Sequence, residues 1–90
     1  PSLQSFSMSY NSSVGDEGVL ILVKNLPHTI TEIGLVQSGI GDKGAEALIR
    51  WATHAKQLRW LCVEENIFSN NIKDRLRTFG QERSDLLVIF

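Results

Sequence analysis

Apolar residues in this chain fall into short alternating runs separated by stripes of helical spacing, and the runs return at a nearly constant interval. Leu3, Phe6 and Met8 are followed 27 residues later by Ile30, Ile33 and Leu35, and 28 residues after that by Leu58, Leu61 and Val63. Adding 28 again carries Leu58 and Leu61 onto Leu86 and Ile89, within the closing stretch Asp85-Leu86-Leu87-Val88-Ile89-Phe90. Alternation with period two predicts strands with one buried face. Phe6 and Met8 are expected to point inward and Ser5, Ser7 and Ser9 outward. Self-similarity at this period marks a repeat array, in which no unit buries its apolar face without a neighbour.

Between the strands lie helical stripes. Val19, Leu22, Val23 and Leu26 stand at i, i+3, i+4 and i+7; Ala45, Leu48, Ile49 and Ala52 repeat that spacing, and Ile72, Leu76 and Phe79 form a third stripe. Trp51 extends the second stripe or packs beside the next repeat. Pro27 ends the first helix, because its ring has no amide to donate and restrains the residue before it. Gly80 is expected to stop the third. A turn precedes each helix: Val14-Gly15-Asp16-Glu17-Gly18, then Ile40-Gly41-Asp42-Lys43-Gly44, degenerating to Phe68-Ser69-Asn70-Asn71-Ile72. Asp16 and Asp42 are placed to accept from free amides at the helix starts, and Ser69 or Asn70 to do so in the third unit. Asn11, Ser38 and Asn66 close the strands at matching positions. Strands alternating with helices at a fixed period imply parallel pairing with helices outside, an α/β array. One repeat unit of units 1–26, 27–55 and 56–84 with a terminal strand 85–90 is predicted.

These residues resemble the leucine-rich repeats, and within them the long subtype seen in ribonuclease inhibitor, whose pattern is roughly L-x-x-L-x-L-x-x-N-x-I-G-D-x-G followed by a helix of small residues and leucines. The unit from Ile30 to Ala55 matches best, with Ser38 in place of Asn. The first unit carries an extra residue before Val14; the third keeps Asn66 and loses both turn glycines. The resemblance implies a solenoid with parallel strands on the concave face and helices on the convex face. Repeats of this subtype also occur in Ran GTPase-activating proteins, in the sensing ends of NOD-like immune receptors and in effector proteins that bacteria deliver into host cells.

Composition narrows the function. Nine Lys and Arg against ten Asp and Glu leave a net charge of −1, so no global field draws nucleic acid or anionic lipid. No run approaches the roughly 18 apolar residues of a membrane span, and no membrane insertion is expected. The start lacks Met and the basic and apolar blocks of a signal peptide, which reads as the carboxyl-terminal piece of a longer intracellular protein. The single Cys62 forms no internal disulfide, and two His with one Cys assemble no zinc spacing. Neither metal nor cofactor is expected.

No nucleophile and base pair stands out. His28 lies in a connection and His54 near a helix end, both read as surface residues. Gly39-Ile40-Gly41-Asp42-Lys43-Gly44 spells G-x-G-x-x-G, yet the 27- and 28-residue repeat explains it better than a dinucleotide fingerprint does. Lys73, Arg75 and Arg77 read as a solvated helix face. Cys62 reads as a small strand residue, with only Arg59 as a cationic neighbour.

The outward strand positions remain. In the family that the chain resembles, partners dock on them, which carries over to Ser5, Ser7 and Ser9; Glu32, Gly34 and Val36; Trp60, Cys62 and Glu64; and Val88 with Phe90. Glu32, Val36, Trp60, Cys62, Glu64, Val88 and Phe90 are the candidate partner-binding set, an aromatic centre beside an acidic margin formed with Glu65. The alternative for Trp60 is cap packing under the terminal segment. The expected role is a protein interaction module, not an enzyme, with self-association through exposed repeat edges as a further expectation. The alternatives are a sensing or host-target-binding region of a receptor or effector, and a structural cap of a GTPase-activating repeat protein.

Overall fold

In a computed structural model, residues 4–90 are described; Leu3, the first apolar position of the repeat, lies outside them. Strands β1 (Ser5–Ser7), β2 (Glu32–Gly34), β3 (Trp60–Cys62) and β4 (Leu87–Ile89) alternate with helices α1 (Gly15–Asn25), α2 (Asp42–His54) and α3 (Asn70–Gln81). The strands form one parallel sheet in the order β1-β2-β3-β4. Parallel strands stack about 4.8 Å apart, whereas packed helices need about 8–10 Å. A stack with strands on one side and helices on the other therefore bends, with the strands inside.

The core lies between these layers. Ile30, Ile33, Leu35, Leu58, Leu61 and Val63 are buried, as are the helix stripes Ala45, Leu48, Ile49 and Ala52 of α2 and Ile72, Leu76 and Phe79 of α3. Burial thins toward β1, where Phe6 is half-buried and Met8 is 36% exposed. Their inward expectation is thus only partly met, because β1 has a neighbour on one side alone among the described residues. In the first stripe, Val19 is buried, while Leu22 and Val23 of α1 and Leu26 beyond it are half-buried. Leu26 follows α1 in extended backbone, as the residue before Pro27 should.

Trp51 packs backward rather than beside the following unit. Its ring is buried, and Nε1 donates to the Leu26 carbonyl at 3.3 Å. Arg83 makes the next joint: Nη1 and Nη2 donate to the Ala52 and Ala55 carbonyls at 2.6 and 3.1 Å, satisfying carbonyls at the buried end of α2.

Polar side chains bind each repeat to its neighbour. Asn66 Oδ1 accepts from the Ser38 and Ile40 amides at 2.9 and 3.0 Å, while Nδ2 donates to the Leu35, Val63 and Glu64 carbonyls. Ser38 Oγ reaches the Met8 carbonyl at 3.1 Å. The side chain of Asn11, at the equivalent place in the first unit, accepts from Ser13 alone among the described residues.

The two aspartates correct an expectation. Asp16 Oδ1 accepts from the Gly41 and Gly44 amides at 2.7 and 2.9 Å, so it caps α2 and not α1; Asp42 Oδ1 accepts from the Ser69 amide at 2.8 Å. Repetition in sequence cannot tell a cap within one unit from a cap on the next. Among the described residues only α3 carries its own side-chain cap, Ser69 accepting from the Ile72 amide. The bonds from Ser69 hold the Asp42 carboxyl below the usual carboxylate range, outweighing the small opposing effect of burial.

Gly80 does not stop α3, which runs on to Gln81. It lies instead where the helix meets β4: a Cβ there would stand 3.2 Å from Val88 Cγ2 and 3.4 Å from Val88 Cβ. Gly80→Ala should therefore forfeit the gain of about 1 kcal/mol that alanine normally brings to a helix interior. Urea unfolding midpoints check this, and a full gain would mean that the helix and strand are not in tight contact.

Candidate functional site

Backbone pairing sets out the strand-lined face in rows. Ser5, Glu32, Trp60 and Leu87 stand side by side in the first; Ser7, Gly34, Cys62 and Ile89 form the second. Beyond the strand ends, the Val36 amide donates to Ser9 Oγ at 2.9 Å and the Gln37 amide to the Glu64 carbonyl at 2.9 Å, continuing the order. Across the sheet the rows change from serines to apolar groups, exposed at Trp60 and Leu87 and half-buried at Cys62 and Ile89.

The fourth strand corrects the candidate set. Leu61 pairs with Val88, an interval of 27 rather than 28, so Val88 and Phe90 turn toward the core and Leu87 and Ile89 line the face. The missing residue lies at the strand entrance. Thr31 and Glu32 both donate to the Gln4 carbonyl, and Arg59 and Trp60 both donate to that of Thr31, but only Leu87 donates to that of Arg59. Leu86 keeps the role of Ile30 and Leu58, closing a turn onto Arg83. One residue fewer then separates it from the strand.

Trp60 dominates this face. It is 47% exposed, and neighbouring Leu87 is 53% exposed, so the terminal segment does not bury the indole. Trp60 lines two hollows: one of about 390 Å³ shared with Ser7, Glu32 and Cys62, and one of about 610 Å³ shared with Thr31, Asp85 and Leu87. Arg59 fixes the rim of the second by an ion pair to Asp85 at 3.1 Å. Gly34 makes the floor of the face low, since a Cβ there would meet Ser7 Oγ at 3.1 Å.

Cys62 is half-buried on the same face. Burial first, then the charges of Glu64 and Glu32, push its thiol above the ordinary value, which disfavours the reactive thiolate. Glu32, Val36 and Glu64 are half-buried around it. No three of His, Cys, Asp and Glu converge as a metal site among the described residues. His28 and His54 are exposed on the helix side with ring centroids 6.1 Å apart. Lys73, Arg75 and Arg77 are exposed on α3, where Arg75 pairs with Glu46 and Arg77 with Asp74. Such surface pairs add little stability.

Residues 1–22 and 27–49, together half of the chain, match a family model described as Leucine Rich repeat. The chain belongs to the leucine-rich repeat family. No curated protein matches it in a sequence search. The parallel sheet with helices on one side is the α/β solenoid of these repeats, which generally serve as non-enzymatic modules for protein–protein interaction. In this leucine-rich repeat chain the rows around Trp60 are the inner surface of the bend. Among the described residues no helix is long and apolar enough to cross a membrane.

Proposed function

We propose that the inner strand face binds a partner protein, with Trp60 and Leu87 as the apolar anchors and Glu32 and Glu64 as an acidic border. The exposure of Trp60 beside two hollows is the observation that carries this reading. Aromatic anchors seated beside pockets and rimmed by polar groups dominate binding energy in protein interfaces. The mechanism is rigid presentation: paired strands hold their side chains on a preformed backbone, so the partner meets the surface at little ordering cost. Repeat lengths of 27 and 28 residues with a full helix in each unit support the ribonuclease-inhibitor-like subtype. Trp60→Ala should weaken partner binding by about 2 kcal/mol, as read by calorimetry, and leave the unfolding midpoint nearly unchanged. Unfolding without a specific loss of affinity would assign the indole to the core.

A further inference from the structure

On the helix side of the molecule, α1 and α2 flank an open groove of about 440 Å³ whose charged side chains, Lys24 and Arg50, have one sign. Lys24, His28, Arg50 and His54 line it, and no acidic side chain does. Its apolar lining is supplied by Leu20, Val23, Ala47 and Trp51. Trp51 is fixed there by its bond to the Leu26 carbonyl, with the His28 ring 5.9 Å from its own. Neither Lys24 nor Arg50 enters an ion pair among the described residues.

In a chain of net charge −1 this segregation is local. The acidic groups of the two helices are used elsewhere or lie at their far ends. Asp16 holds Gly41 and Gly44, Asp42 holds Ser69, Glu46 pairs with Arg75, and Glu17 lies in the first turn of α1. What is left around the groove is two unpaired cations, two imidazoles that donate hydrogen bonds in either protonation state, and an apolar floor.

From this we infer a second docking surface, between α1 and α2, that takes an acidic peptide segment carrying an apolar anchor. The anchor fills the floor beside Trp51, and flanking carboxylates meet Lys24 and Arg50, with His28 and His54 donating to their oxygens. A volume of this size suits one large side chain with its flanks. Nucleic acid matches the charges, but its sugar-phosphate backbone offers nothing to the apolar floor, and two cations, Lys24 and Arg50, neutralise few phosphates. The surface is independent of the strand face, so the chain can hold two partners at once.

The test is NMR titration of the full chain with a synthetic peptide of about 12 residues, in which aspartates and glutamates flank a Leu-Phe centre. The proposal expects amide shifts confined to α1, α2 and His28 and Thr29 of the connection, an affinity that falls with salt, and a loss of about tenfold or more in the double variant Lys24→Glu, Arg50→Glu. Both residues are exposed, so the variant should fold, which its own spectrum verifies. Trp60→Ala should bind the peptide as the unaltered chain does. The absence of any shift at about 1 mM peptide, equal binding of an Asn and Gln version, or shifts centred on the strands would overturn it. So would tighter binding of a single-stranded oligonucleotide. A charge reversal that lowers stability without touching peptide affinity would assign the cations to balancing the helix ends, which also overturns the proposal.

Discussion

Asn66→Ala should destabilise the protein by about 3 kcal/mol, although the side chain contributes no hydrophobic contact to the core. Its amide group donates to three carbonyls, of Leu35, Val63 and Glu64, and accepts from two amides, of Ser38 and Ile40. A single neutral bond contributes about 1 kcal/mol net, and a donor or acceptor left without a partner in a partly buried turn costs more. The two N–H groups share three carbonyls, the longest contact being 3.3 Å to Glu64, and water recovers part of the loss, so the expected cost is less than five independent bonds would suggest. Asn66→Asp supplies the control. It retains the acceptor for Ser38 and Ile40 but sets a carboxylate oxygen against three carbonyls, so it should be no more stable than the alanine variant. Equilibrium urea unfolding by far-UV circular dichroism measures both. A loss below about 1 kcal/mol in either variant would mean that the neighbouring strands, and not this side chain, couple the second and third repeats.

Gly39→Ala is expected to cost a similar amount, about 3 kcal/mol, for a different reason. The residue has φ of +71°, in the left-handed region, where a Cβ costs about 1–2 kcal/mol. An added Cβ would also stand 2.7 Å from the Ser12 carbonyl oxygen, a backbone atom that cannot turn aside. Gly39 is thus the point at which the second repeat's turn passes against the first. Thermal and urea unfolding of the variant should report the loss, and relaxation of the first unit should appear as faster hydrogen exchange in α1. A neutral substitution would show that the two turns are not in contact.

The solenoid was legible because its pattern is redundant. Three strand patterns in one register, joined by two copies of the glycine and aspartate turn, left one consistent architecture, and the stripes Ala45, Leu48, Ile49 and Ala52 and Ile72, Leu76 and Phe79 are buried as spacing predicts. Left-handed residues add a marker that residue type hides: Tyr10, Gln37 and Glu65 all have positive φ at equivalent places, yet none is glycine. Sequence was less informative about which unit a polar side chain serves. Asp16, Asp42 and Trp51 each bind across a repeat boundary, and a periodic sequence is unchanged by moving a contact one period along.

Strand register puts Glu32, Trp60 and Cys62 on the candidate face, Val36 and Glu64 continue their alternation beyond the strand ends, and Val88 with Phe90 fall one residue out of phase. Leu86 through Phe90 is apolar throughout, so alternation gives no phase, and the residue dropped before β4 leaves no signature of its own. The correction moves Leu87 beside Trp60 and enlarges the apolar part of the face.

Placing a photoreactive benzophenone side chain at position 87, with the same group at position 73 on the outer helix as control, tests the role of this face most directly. A partner protein should crosslink from position 87, Trp60→Ala should abolish the adduct, and position 73 should give none of it. An adduct that forms from position 73 and not from 87, or that survives Trp60→Ala, would contradict a partner site on the strand face.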